Sequence, residues 1–277
     1  APAAARRPQS QAHEDPAASQ HRLRFLQRGV VALELGALAL GVALNQAHWS
    51  GDRLALAIWG LLIAAAASLS VPTGGARLGL DLPLVLGAGL VFGPIAAGLL
   101  ALIAVFDVRE FRREVSFSLS MFNRAEISLS AMAGTVAYLA VRQQLGDWPG
   151  AALAGVLAVA VDALVNYVLV ASYWTIKSGK PFKRVVAGMR FGPAHSFIPI
   201  YACFGFVGLL IAEVYTDLGM VGVVMCVAPV VLAWQAFAHR RLLDESLRSL
   251  EVKERLFRQF GEQIAIERRD ERSILAG

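Results

Sequence analysis

The chain has 277 residues, of which 56% are hydrophobic and 17% charged, with a formal net charge of +5. Its mean hydropathy is +0.55, whereas soluble domains carry about 25% charged residues. The charges are bunched between long apolar bands, which excludes an ordinary soluble domain and leaves a polytopic membrane protein. The bands are continuous in Leu, Ala, Val and Gly and do not alternate with polar residues, so they read as helices and not as barrel strands. The positive balance sits in the loops of one side, as membrane topology requires, and is no sign of nucleic-acid binding. Cys203 and Cys226 lie inside apolar bands without a CxxC neighbour. They read as small buried apolar residues.

Residues 1–21 are rich in Ala, Gln, Ser and Pro and predict a disordered cytoplasmic tail. No cleavable signal peptide is evident, because the first apolar band is followed by more bands. That band, about Phe25–Leu44, follows Arg22, Arg24 and Arg28, which puts its start inside the cell. A second band, about Leu54–Val71, stops at the breaker cluster Pro72 to Gly75. The next apolar stretch, Leu78 to Phe106, is interrupted at Phe92-Gly93-Pro94, which predicts two short helices, Leu80–Val91 and Pro94–Phe106. A re-entrant hairpin or one kinked helix is the alternative.

The charged, aromatic segment Asp107 to Arg124 predicts a helix lying in the inner interface. A fifth band, Ala125–Val141, a turn at Gly146 to Gly150 and a sixth band, Ala151–Tyr173, follow. A basic loop runs from Lys177 to Arg190 and marks the inside. Bands at Phe197–Val214 and Met220–Phe237 flank a short turn, Tyr215 to Gly219. About eight spans, within residues 22–238, then leave both termini cytoplasmic in an inner membrane.

Ionisable groups inside spans cost roughly 2.5 to 3.5 kcal/mol each, so each is a functional candidate. Glu34 lies mid-band, and Asp162 and Asn166 share a helix face at four-residue spacing. A ligand or ion pocket would be lined by Glu34, Asp162, Asn166, Asn123 and Arg124. The competing reading is that these groups tie helices together. Glu126 is placed near the inner end of the fifth band, and Asp81, Asp107 and Glu213 near span ends, within reach of water or headgroups. His195 reads as a loop or interface residue. No HExxH, phosphate loop or catalytic constellation is present, so no metal or cofactor is expected in this stretch of chain.

From residue 239 to residue 277 the chain is charged, has no Pro, and keeps Leu243, Leu247, Leu250, Phe257 and Ile264 at a 4-3 step. This predicts a helical linker with a short coiled-coil seam, able to dimerise and relay a signal. The terminal run Glu267 to Gly277 resembles the stretch just before the phosphoacceptor His of bacterial sensor histidine kinases, where Gly277 would fall directly before the H-box. The segments Leu90 to Pro94, Arg109 to Arg113 and Phe122 to Ala125 are also similar, more weakly, to membrane regions ahead of kinase and HD-type phosphodiesterase domains.

The resemblance implies an all-α transmembrane sensor or anchor module of a two-component system, with a cytoplasmic C-terminal signalling helix leading to a kinase domain beyond Gly277. It also implies ATP, Mg and a response regulator for that domain, and lipids and a second copy as partners of this one. The runner-up is a transporter or substrate-binding membrane component, built on the broken element at Gly93 and on Asp162 and Asn166.

Overall fold

The computed structural model describes residues 16–44, 53–69, 71–73, 76–78, 81–106, 108–145, 148–191 and 194–275. These form nine helices and one small hairpin: α1 (Pro16–Leu44), α2 (Arg53–Ser68), β1 (Val71–Thr73), β2 (Ala76–Leu78), α3 (Asp81–Phe92), α4 (Pro94–Ala104), α5 (Val108–Phe111), α6 (Phe117–Leu145), α7 (Trp148–Ser178), α8 (Phe182–Phe191) and α9 (Ala194–Leu275). By length and composition, three stretches among the described residues can cross a membrane: Ala18–Leu44, Gly150–Ser178 and Ala202–Ala233. Shorter apolar helices are α2, α3 and α4.

The chain divides into two units, Ala1–Cys226 and Val227–Gly277. In the first, α6 is the central post. It packs against α7 most extensively, and against α4, α1 and α3. Small residues set this: Ala125, Ala131 and Gly134 of α6, and Ala154 and Ala158 of α7, are buried and let the backbones close up. An added Cβ at Gly134 would lie 2.7 Å from the Ala158 carbonyl oxygen and 3.0 Å from Asp162 Cβ. At one end of α6, Phe122 stacks on Tyr173 with ring centres 5.3 Å apart.

The break expected at Gly93 is present, and the two short helices expected on either side of it are α3 and α4. Gly93 has φ 93°, a conformation that suits glycine, and Pro94 opens α4, where its missing N–H costs no hydrogen bond. A Cβ on Gly89 would sit 3.0 Å from Ala97 Cβ. In a straight helix eight residues cover about 12 Å, so α3 and α4 fold back on each other.

Several boundaries differ from the sequence reading. The helix of the first band starts at Pro16, inside the stretch expected to be disordered; residues 1–15 lie outside the described residues. Val71, assigned to the second band, is in β1, which pairs antiparallel with β2 (Val71 with Leu78, Pro72 with Arg77, Thr73 with Ala76). The two glycines between them in sequence suit a tight hairpin. The interfacial helix expected over Asp107 to Arg124 is instead the four-residue α5 and a turn with Arg113 at φ 56°. Its second half, from Phe117, is the first two turns of α6.

The basic loop contains a helix, α8, whose start follows Gly179 at φ 63°. Gly219, expected to close a five-residue turn, breaks α9 alone, with φ 60° and ψ −146°. Cys203 is exposed and Cys226 half-buried, so Cys203 is not the buried apolar residue expected. Helical backbone runs through the second unit to Leu275, and Leu243, Leu247 and Leu250 are 57%, 59% and 59% exposed. The Phe257, Ile264 and His195 side chains, and Asp107, lie outside the described residues.

Candidate functional site

The polar groups of the first unit gather on α6, but on different faces of it. One cluster joins three helices. Glu34 of α1 is fully buried, as its place in an apolar band required. Its Oε1 is hydrogen-bonded to Ser128 Oγ of α6, and the same hydroxyl is 2.9 Å from the Gly98 carbonyl oxygen of α4. Glu34 Oε2 is buried with no hydrogen-bond partner. A serine hydroxyl has one proton and can donate to only one of two acceptors. With Gly98 as acceptor, the contact to Glu34 needs its donor from the Glu34 side. Glutamine at this position supplies one through its amide.

Glu34→Gln is therefore expected to change stability by no more than about 1 kcal/mol, the net worth of one hydrogen bond. Glu34→Lys puts an ammonium into a fully buried position beside a serine hydroxyl and a backbone carbonyl and is expected to abolish accumulation of folded protein in membranes. Thermal melts in detergent, with membrane yield, check both. Equal tolerance of Gln and Lys would show that Glu34 is not held in the interior.

The second group lies where α7 meets α6. Asp162 is fully buried, with its Cβ against Gly134. The four-residue step that put Asn166 on the same face holds, but Asn166 is only half-buried. Glu126 is 5% exposed. The sequence reading set Glu126 near a span end. In the structure it is about 14 Å along α6 from Phe117, because α6 begins two turns earlier than the apolar band. Ser128 and Gly134 are about 120° apart round α6. Glu34 and Asp162 accordingly meet different helices, and their described contacts do not join them in one pocket.

Arg124 and Asn123, the other expected pocket residues, are half-buried. The Arg124 guanidinium is an internal tether. Its Nη2 donates to Glu110 Oε2 of α5 at 2.5 Å, and its Nη1 to the Leu102 carbonyl oxygen at 3.3 Å. Leu102 lies in the last turn of α4, where a cation is favoured by the orphan carbonyls and the helix dipole. Asp81, in the first turn of α3, is 8% exposed rather than open to water.

Sequence reasoning missed Ser128, whose only signal is a hydroxyl one helical turn past Arg124. It also missed the aromatic cluster of Trp59, Phe92 and Tyr215, whose ring centres lie 5.3 to 5.5 Å apart. Among the described residues, no group of three or more His, Cys, Asp or Glu is arranged to hold a metal ion. No family model, curated protein or solved structure matches the chain.

Proposed function

We propose that this chain is the membrane-embedded input module of a signalling protein, of the sensor histidine kinase type, passing a change in the bundle to an output domain through its C-terminal helix. One observation carries the reading. In the second unit Leu243, Leu247 and Leu250 are each more than half exposed at a 4-3 spacing on a helix. A leucine seam left open among charged residues is what a two-stranded coiled coil buries against a second copy. The acid-before-base pairs Asp244 and Arg248, Glu251 and Arg255, and Glu254 and Arg258 favour the same helix by a few tenths of a kcal/mol each, as an order-of-magnitude figure.

The topology that goes with it has eight apolar segments and both termini cytoplasmic. α3 and α4 have 12 and 11 residues, about 18 and 16 Å of helix against the ~30 Å of a bilayer core. Folded back at Gly93, they return the chain to the side it left, as two full spans would. The charge distribution therefore keeps its sense, with Arg109, Arg112, Arg113, Lys177, Lys180, Lys183 and Arg184 on the inner side. The transporter reading retains the same broken pair and the buried Asp162, but gives the leucine seam no task.

The test is disulfide trapping in native membranes, with Cys203 and Cys226 replaced by serine. Leu250→Cys and Leu243→Cys are expected to give a covalent dimer under mild oxidation, and Arg248→Cys, off the seam, is not. Monomer at all three positions rejects the relay through a dimer. Coding sequence beyond Gly277 is expected to specify a His-bearing dimerisation helix and an ATP-binding domain; a different output domain would retain the input module and change its chemistry.

A further inference from the structure

The outer face of α1 carries a ridge at four-residue spacing: His21, Phe25, Gly29 and Leu33. Phe25 and Leu33 are 76% and 62% exposed, and the glycine between them leaves a notch. A Cβ built on Gly29 meets nothing within 4 Å. The notch is part of a groove of about 430 Å3, which Ile176 of α7 closes on one side and His21 and Arg22 close at one end. Ser19 Oγ donates to the Ile176 carbonyl oxygen at 3.0 Å, so the start of α1 is tied to the end of α7 and the groove has fixed walls.

The charge in the described parts of α1 and α7 around its polar end is predominantly positive. From Pro16 to Leu33 there is no acid, while Arg22, Arg24 and Arg28 are present. From Ala163 to Ala212 there is again no acid, while Lys177, Lys180, Lys183 and Arg184 follow Ile176. The Lys177 ammonium is held 4.8 Å from the centre of the Trp174 ring. An apolar trough on a membrane-crossing helix, ending among the cations of α1 and α7, is complementary to a single molecule that is apolar along its length and anionic at its head.

We infer that the α1–α7 groove binds one anionic phospholipid, with an acyl chain in the Gly29 notch and the phosphate at the His21–Arg22 end. The inference needs α1 to lie in the bilayer and does not depend on the relay through α9. Purified full chain in lipid-free detergent is titrated with phosphatidylglycerol or with phosphatidylcholine, and its melting temperature and bound lipid are measured. Phosphatidylglycerol is expected to raise the melting temperature by several degrees more than phosphatidylcholine and to remain bound at one molecule per chain.

Gly29→Leu, whose Cβ meets nothing within 4 Å, puts a side chain into the notch and is expected to abolish that difference. Gly36→Leu, on the same helix where an added Cβ also meets nothing within 4 Å, is expected to preserve it. Arg22→Gln should weaken retention of phosphatidylglycerol at least tenfold. Equal protection by the two lipids, or a phosphatidylglycerol effect that survives Gly29→Leu, overturns the proposal. A dimer in lipid-free detergent that Gly29→Leu dissociates would assign the notch to a second copy of the chain and overturn it equally.

Discussion

Replacing Gly134 with alanine is expected to destabilise the first unit by about 1 to 3 kcal/mol, and replacing it with valine by more. In an open helix position the same glycine-to-alanine change stabilises by up to about 1 kcal/mol, through backbone entropy. The sign reverses at Gly134 because of what its missing side chain admits. A Cβ there would approach the Ala158 carbonyl oxygen to 2.7 Å and Asp162 Cβ to 3.0 Å. Both are fixed, one as backbone and one as the first atom of a fully buried side chain. Neither can rotate away, so relief requires α6 and α7 to move apart along the largest interface in the unit.

Separation also exposes Asp162 of α7. Its side chain is fully buried against Gly134, and a wider interface admits water or detergent to it. Gly36→Ala, where a Cβ meets nothing, is the control and is expected to raise the melting temperature slightly. Parallel thermal scans of the two alanine variants in one detergent decide the matter. Should Gly134→Ala prove as harmless as Gly36→Ala, the close α6–α7 crossing is wrong.

The two glycine breaks were legible in the sequence for a local reason. Gly93 with Pro94 and Gly219 need unusual backbone or lack a donor, and such needs are met by the residue itself. The buried state of Glu34 was legible too, since an acid within an apolar band has nowhere else to go. Its partner was not. Ser128 is 94 residues away, and only the rotation of α1 and α6 about their axes brings the two together.

Asp162 and Asn166 show the limit of periodicity. Four-residue spacing gives a shared direction, while depth depends on how far α6 covers α7, and only Asp162 is fully covered. Charge density misled at the start of α6. Phe117 to Arg124 mixes aromatic and basic residues whether it lies in an interface or starts a long helix. Hydrogen bonding into the following apolar turns decides between them, and composition does not report it. The hairpin β1–β2 is of the same kind, two three-residue strands within an otherwise helical pattern.

Trp59→Ala is expected to cost about 3 to 5 kcal/mol, the range for deleting a fully buried large aromatic side chain. The Trp59 side chain has no exposed surface, and its Nε1–H donates to the Leu84 carbonyl oxygen of α3 at 2.8 Å. Its ring meets Phe92 and Tyr215 edge to face, at 5.5 and 5.3 Å, with interplanar angles of 89° and 71°. Phe92 and Tyr215 contact each other at 5.5 Å. Such pairs add roughly 0.5 to 1.5 kcal/mol each beyond area burial.

The position of the cluster matters as much as its size. Phe92 is the last residue before the Gly93 reversal, and Tyr215 lies one helical turn before the Gly219 break. Trp59 thus fixes from α2 two of the places where the backbone leaves helical geometry, and neither glycine has a side chain to fix itself. Trp59→Phe keeps most of the apolar contact and loses the indole hydrogen bond, for about 1 kcal/mol. Tyr215→Ala is expected to fall between the two variants. Melting temperatures in detergent should therefore rank wild type, Trp59→Phe, Tyr215→Ala and Trp59→Ala in descending order. Cysteine accessibility at Leu90→Cys should increase in Trp59→Ala at temperatures below its melt, because the α3–α4 corner loosens before the bundle separates. An accessibility unchanged up to the melt would place the Gly93 corner under the control of α6 and not of the aromatic cluster.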